Sequence, residues 1–328
     1  MKVLALALVF FTQIFSHALA QYKYVIYTDQ NPSTKANEVK NLMKGMPPFS
    51  EMNMQIEIRQ MSTQDLGCAP TPGIDRLVVC NNDTINQRAA SEGFDQPLVV
   101  SSSSNYGGSG GSVPVITTAD NVPASMMVHE YMHTLGFCDE YVYSAQDLAT
   151  YDYCATQFVS NKPNLVQITP DADGYANDQE ARSQHGGQIP WFSHILPSTA
   201  IASSTLGTPS LGSQIIGLFP SEMCKNSPNN VHLWKPGSAA TIMDLPSAPL
   251  GPLEPILRDA LMSVGLRPKG SSVNPPPGEP TLVLSDGPCP ASEPSGLTQL
   301  ARENISDLGS VIKKINKKRQ QDSTNPKK

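Results

Sequence analysis

The pattern of apolar and polar positions in the first half of the chain predicts a sheet with a helix packed on it. Tyr22 to Tyr27 and Met54 to Met61 alternate and are rich in strand-favouring residues, so each predicts a strand. Lys35 to Met46 has apolar residues at helical spacing and predicts a helix. Two short apolar runs, Arg76 to Cys80 and Pro97 to Ser101, predict buried strands. This order is typical of a layered α/β (α+β) domain.

A glycine-rich segment precedes one further predicted strand. We interpret Asn105 to Ser112, which reads NYGGSGGS, as a turn or bulge. Val113 to Thr118 predicts a strand at the edge of the sheet, because its proline cannot donate to a ladder of hydrogen bonds. Such an edge could pair with an extended peptide, so we expect a protein or peptide substrate bound in extended form.

Two histidines four residues apart follow this strand, in the stretch HEYMHTLGFCDEY. His129 and His133 would lie on one face of a helix, because an α-helix has 3.6 residues per turn. This spacing is typical of a Zn²⁺ site, and the adjacent Glu130 has the side chain needed to take a proton from a zinc-bound water. The apolar residues from 122 to 128 predict that the helix is buried.

A catalytic zinc needs a third protein ligand and one position left for water. Gly136 lies three residues past His133, and a glycine can turn the chain sharply there because it tolerates positive φ. Asp139 could then return to the metal as an oxygen ligand. Glu140 is the alternative carboxylate, and the Cys138 thiolate is a further alternative.

The composition fits an exported protein with a real core. The chain has 328 residues, 39% of them apolar, and its net charge of −6 argues against nucleic acid as a partner. Residues 1–20 have the charged start, apolar run and small-residue cleavage site of a signal peptide, and they are too short for a stable membrane span. We therefore predict a secreted protein, extracellular or periplasmic, that begins at Gln21 and is a monomer.

Six cysteines fit an oxidising compartment. Short loops favour the pairs Cys68–Cys80 and Cys138–Cys154, which would leave Cys224 with Cys289.

Further along the chain, Ile215 to Phe219 predicts a strand and Gly251 to Val264 a helix. We predict a catalytic domain over residues 21–266 and a linker rich in Pro, Gly and Ser over residues 267–295. Residues 296–328 form an amphipathic basic tail with possible contact to an anionic surface.

The motif HEYMHTLGFCD and the later TIMD resemble the metzincin clan of zinc endopeptidases. Met243 matches the methionine of the turn that passes beneath the metal in that clan. The context is most similar to the peptidase M64, or IgA-peptidase-like, family. The matching segments are residues 106–111, 139–141, 163–164, 189–191 and 217–219. Leu245 stands two residues past Met243, where many metzincins have a tyrosine, so no tyrosine ligand is carried over.

The resemblance implies a metzincin-like domain with a twisted mixed sheet over the zinc helix and a loop-rich C-terminal subdomain that contains the methionine turn. It also implies a secreted zinc-dependent endopeptidase in which His129, His133 and Asp139 hold Zn²⁺ and Glu130 is the general base. The alternative is a non-catalytic secreted binding protein on the same scaffold, with a structural zinc.

Overall fold

The computed structural model of the protein describes residues 21–30, 33–72, 74–144, 154, 162–167, 183, 186–196, 215–227 and 233–271. The predicted signal peptide, His185, Cys289, the linker beyond residue 271 and the basic tail lie outside these residues.

A seven-stranded mixed sheet forms the centre of the domain, with the strand order β2-β1-β5-β7-β6-β4-β3. The strands are β1 (Tyr22–Thr28), β2 (Met54–Gln60), β3 (Ala69–Thr71), β4 (Ile74–Val79), β5 (Gln96–Ser101), β6 (Gly108–Ser109) and β7 (Val115–Thr117). The four strands β2, β1, β5 and β7 are parallel, whereas β6 runs antiparallel to β7. The strands predicted from apolar patterning in the first hundred residues are confirmed as β1, β2, β4 and β5.

Five α-helices accompany the sheet in the described part of the chain. They are α1 (Thr34–Gly45), α2 (Thr63–Leu66), α3 (Asn82–Ser91), α4 (Met126–Thr134) and α5 (Leu253–Ser263). The predictions of α1, α4 and α5 are confirmed. Helix α3, whose buried residues are Ile85 and Ala89, was not predicted from the sequence. Two apolar anchors in a polar ten-residue helix make too weak a periodic signal to stand out.

Apolar side chains cover both faces of the sheet. Tyr24 and Ile26 of β1 belong to the larger core, which α1, α4 and α5 complete. Val25 and Tyr27 of the same strand face a smaller core that includes residues of α3. Because both faces are covered, β1 is buried along most of its length.

The glycine-rich segment continues the sheet, which corrects our interpretation of it as a turn or bulge. Gly108 of β6 pairs with Ile116 of β7 on one side and with Leu77 of β4 on the other. A Cβ on Gly107 would lie 1.9 Å from the Arg76 carbonyl oxygen, so only a glycine lets the two backbones approach this closely.

The strand predicted over Val113 to Thr118 is therefore internal and not an edge, because β5 and β6 occupy its two sides. Pro114 misled the prediction, since it lies one residue before β7 begins and needs no ladder donor there. The edge strands of the described sheet are β2 and β3.

A two-stranded sheet and α5 complete the C-terminal part. Strand β8 (Phe219–Ser221) pairs with β9 (Leu233–Lys235), so the strand predicted over Ile215 to Phe219 was placed too early. Residues 267–269 still hydrogen-bond to the body, since the amide of Asn53 donates to the Arg267 carbonyl over 2.7 Å. Among the described helices, none is long and apolar enough to cross a membrane.

Two disulfides join described residues. The predicted pair Cys68–Cys80 is confirmed and closes the hairpin of β3 and β4. The predicted pair Cys138–Cys154 is wrong, and so is Cys224–Cys289, because Cys154 is bonded to Cys224 across 70 residues. Cys138 is itself disulfide-bonded, which also removes its thiolate as a metal ligand.

Candidate metal centre

Helix α4 carries the two histidines of the motif and is buried from Met126 to His133. Their side chains lie on one face, as the spacing of four predicts, and the Nε2 atoms are 3.3 Å apart. The rings meet edge to face with centroids 4.8 Å apart. The helix therefore holds two imidazole nitrogens close together in a site shielded from solvent.

Backbone carbonyls fix the tautomer of both histidines. Nδ1–H of His129 donates to the Ile242 carbonyl over 2.8 Å, and Nδ1–H of His133 donates to the Phe137 carbonyl over 2.9 Å. Because a carbonyl oxygen can only accept, the hydrogen of each neutral ring lies on Nδ1. Each Nε2 therefore presents a lone pair to the space between the rings, as metal-binding histidines do.

Gly136 ends α4 in the way that the sequence predicted. Its φ is +85°, and its amide donates to the His133 carbonyl over 3.0 Å. The amide of Phe137 reaches back to the Met132 carbonyl over 3.1 Å, which completes a Schellman motif. This turn places the Phe137 carbonyl against His133 and sends the chain back toward the face that carries the two histidines.

Asp139 lies at the end of this return. Its Oδ1 is 3.2 Å from Nε2 of His129 and 3.3 Å from Nε2 of His133. Oδ1 is buried and has no hydrogen-bond partner, because both facing nitrogens present lone pairs. The other oxygen, Oδ2, accepts a hydrogen bond from the Tyr143 hydroxyl. When both rings are neutral, three electron-rich atoms thus converge on one point with no donor among them.

The size of this triangle fits a zinc ion. Tetrahedral zinc with bonds of about 2.0–2.1 Å separates its ligand atoms by about 3.3–3.4 Å. The three observed separations are 3.2, 3.3 and 3.3 Å. Two imidazoles and one carboxylate are also a donor set that zinc accepts. A cation at this point would satisfy the orphaned oxygen of Asp139.

Without a metal, the electrostatics of the cluster favour a proton on His133, at the point where a cation would otherwise lie. Burial by itself would lower the pKa of His133, but the Asp139 carboxylate outweighs that effect and the pKa rises to about 9. Burial opposes ionisation of Asp139 too, yet His133 and His129 hold the pKa of its carboxyl well below the usual range. The carboxylate is thus the charged form that a cation would meet.

Glu130 sits beside the two histidines without completing the triangle. The ligand atoms of His129, Glu130 and His133 all lie within 4.8 Å of one another, so this group could hold a metal ion. Asp139 has the closer separations, so Glu130 lies beside the triangle of His129, His133 and Asp139. Burial raises the pKa of the Glu130 carboxyl, as suits a group that takes up a proton. Its side chain is 8% exposed and lines a cleft.

Glu140, the alternative third ligand, is occupied elsewhere. It accepts from Asn164 over 2.9 Å and from the Thr241 hydroxyl over 3.0 Å, and Lys235 lies 3.5 Å away. It is 1% exposed, and burial raises its pKa to about 7 although Lys235 opposes the shift. The geometry therefore turns Asp139, and not Glu140, toward the histidines.

The turn around Met243 contacts this site through its backbone. The Ile242 carbonyl holds His129, and the Met243 carbonyl accepts from the amide of Glu140 over 2.9 Å. The Met243 side chain is fully buried in the larger core. The turn thus touches the backbone of the loop after α4 and one histidine of the helix, which ties the two segments together.

Gly108 of β6 and Gly110, which follows this strand, pack directly on α4. A Cβ on Gly108 would lie 2.7 Å from Oε1 of Glu130, and one on Gly110 would lie 2.4 Å from Cβ of His133. The glycine-rich segment and residues of β4 line a cavity of about 170 Å³. The same cavity is lined by His129, Glu130, His133 and Asp139.

Asn164 is a buried residue whose role the sequence did not reveal. Its side chain accepts from the amide of Cys138 over 2.8 Å and donates to the carbonyl of the same residue over 2.7 Å. It pairs with the residue before Asp139 as a strand would. In the sequence, Pro163-Asn164 stands out only as a match to a family segment, since a lone asparagine in a loop has no periodic signal.

The described residues thus define a mixed α/β domain with a mostly parallel sheet and a buried group that could hold a metal. No family model and no curated protein matches the chain, so the M64 resemblance stays a prediction. Among solved structures, archaemetzincin (amzA) from Methanopyrus kandleri is similar over 38% of this chain and 82% of that chain, with 14% identity and a TM-score of 0.27. Similarity at this level carries no argument about activity.

Proposed function

We propose that this chain is a secreted zinc-dependent endopeptidase of the metzincin type, with motifs most similar to those of the M64 family. The observation that supports it best is the triangle of His129 Nε2, His133 Nε2 and Asp139 Oδ1, with sides of 3.2 to 3.3 Å. These residues would hold Zn²⁺, and the position left free would face the cleft that Glu130 lines.

Zinc, when bound, lowers the pKa of a water molecule and polarises a carbonyl group. Glu130 accepts the proton of the attacking water at its carboxylate and delivers it to the nitrogen of the leaving amine. Gly108 leaves room for this carboxylate, because any side chain there would collide with it. The buried Met243 forms an apolar floor below the site.

The substrate would be a peptide that lies extended in the cleft. Besides the motif residues, the cleft is lined by Tyr106 to Gly110, Tyr141 and Pro246. The free edge that we expected at Val113 to Thr118 is not available. The peptide would therefore be held by the cleft walls and not by pairing with that strand.

The rival function is a non-catalytic binding protein with a structural zinc. A structural site is usually closed by four protein ligands. In the described residues, Cys138 is disulfide-bonded and His194 pairs with Asp259 over 2.7 Å. His185, the other candidate, lies outside them. No described side chain therefore favours the rival over the peptidase.

The test is hydrolysis of a denatured protein by the purified protein. We expect activity that a chelator removes and Zn²⁺ restores, and that Glu130→Gln abolishes while keeping the metal. Glu222→Gln is a matched control, because Glu222 is exposed and pairs only with the neighbouring Lys225 among the contacts described here. Bound zinc with no hydrolysis, or full activity in Glu130→Gln, would contradict the proposal.

A further inference from the structure

Only one oxygen of Asp139 faces the two histidines, and a tyrosine holds the other. The Tyr143 hydroxyl donates to Oδ2 of Asp139, while Oδ1 is buried and has no hydrogen-bond partner. A carboxylate can bind a metal through one oxygen or through both. A hydrogen bond to Oδ2 leaves Oδ1 as the oxygen that is free to bind.

We infer that Tyr143 is a positioning residue that makes Asp139 a single-oxygen ligand and holds that oxygen at the metal site. This inference rests on the proposed function, because it concerns the same zinc. Leu245 stands two residues past Met243, at the position where many metzincins have a tyrosine, so that position offers no tyrosine here. The tyrosine that contacts the site is instead Tyr143, four residues past Asp139.

Tyr143 is itself held rigidly. Its amide donates to the Met223 carbonyl over 3.3 Å, and its carbonyl accepts from the Asn226 side chain over 2.9 Å. Cys224, which follows Met223 directly, is disulfide-bonded to Cys154. The tyrosine ring is buried in a small core with Cys154, Met223 and Cys224. The orientation of the phenol is therefore fixed by residues far from α4 in the sequence.

Partners that orient a metal ligand are worth about 10–100-fold in metal affinity. We expect Tyr143→Phe to lower the zinc affinity of the full-length protein by about that factor. Tyr131→Phe is the matched control. It makes the same chemical change on α4, but the Tyr131 hydroxyl bonds to Tyr24 over 3.0 Å on the side of the larger core. We expect this control to keep the wild-type affinity.

The measurement is competition for Zn²⁺ against a chelator of known affinity, with each variant first freed of metal and checked for native circular dichroism. The visible spectrum of the Co²⁺-loaded proteins is a second readout. It should change in Tyr143→Phe and not in Tyr131→Phe, because it reports how the ligands are arranged. Wild-type affinity and an unchanged spectrum in Tyr143→Phe would overturn the inference.

A crystal structure of the zinc-loaded unmodified protein tests the inference without any substitution. We expect Oδ1 of Asp139 on the metal and the Tyr143 hydroxyl on Oδ2. Coordination of the metal by both oxygens of Asp139 would overturn the inference. A protein that takes up no zinc would overturn both the inference and the proposed function. Zinc binding without hydrolysis would defeat the proposed function alone, because the affinity ratio of the two variants would still decide the role of Tyr143.

Discussion

Gly110 lies against His133, so close that a Cβ on the glycine would be 2.4 Å from the Cβ of the histidine. This contact joins the glycine-rich segment to the histidine motif through two residues that are 23 positions apart in the sequence. A glycine is needed where this segment crosses α4, because no side chain fits between the backbone of residue 110 and the side chain of His133.

Gly110→Ala should push β6 and α4 apart. We expect the free energy of unfolding to fall by about 1–3 kcal/mol, as overpacking does elsewhere, and zinc affinity to fall with it because His133 moves. Gly45→Ala is the control, since a Cβ there meets nothing within 4 Å. Urea unfolding and zinc titration measure the two effects, and equal behaviour of both variants would disprove the close contact.

Asp139→Ala and Glu140→Ala should separate metal binding from stability. Asp139→Ala removes an atom of the triangle, so zinc affinity should fall by more than about 100-fold, beyond the loss expected from an outer partner. Glu140→Ala leaves Lys235 buried without one of its carboxylates, which should cost stability while zinc affinity changes much less. The reverse order of affinities would mean that Glu140 is the third ligand.

Asn164→Ala should loosen the segment that carries Asp139. The variant leaves the buried amide and carbonyl of Cys138 without partners, and each unsatisfied group costs about 1–3 kcal/mol. We expect a lower unfolding midpoint in urea and weaker zinc binding. Asn37→Ala loses one side-chain hydrogen bond, to the carbonyl of Ser33, and should change stability much less. An Asn164→Ala variant as stable as Asn37→Ala would contradict this role of Asn164.

The two disulfides should act differently on the metal site. A non-reducing digest analysed by mass spectrometry should yield a peptide that links Cys154 to Cys224. Replacing this pair by serine should cost about 2–4 kcal/mol of stability and also weaken zinc binding, because Tyr143 loses its support. Replacing Cys68 and Cys80 should cost stability alone. A peptide that links Cys138 to Cys154 would contradict the structure.

Local patterns were sufficient where the information lies within a few residues. The spacing of His129 and His133 places them on one helix face in any fold, because the helical repeat is fixed by the backbone. The residue type of Gly136 permits the positive φ that it adopts, and with it the turn that returns the chain to Asp139. Apolar periodicity is sufficient to predict the strands β1 and β2 and the helix α1.

Tertiary structure decided what depends on residues distant in sequence. Strand β7 is internal because β6 covers it, although Pro114 suggested an edge. Cys154 bonds to Cys224 because the fold brings them together, and loop length alone pointed elsewhere. The same holds for the choice between Asp139 and Glu140. Two adjacent carboxylates look alike in a sequence, and only the positions of Tyr143, Asn164 and Lys235 determine which one faces the histidines.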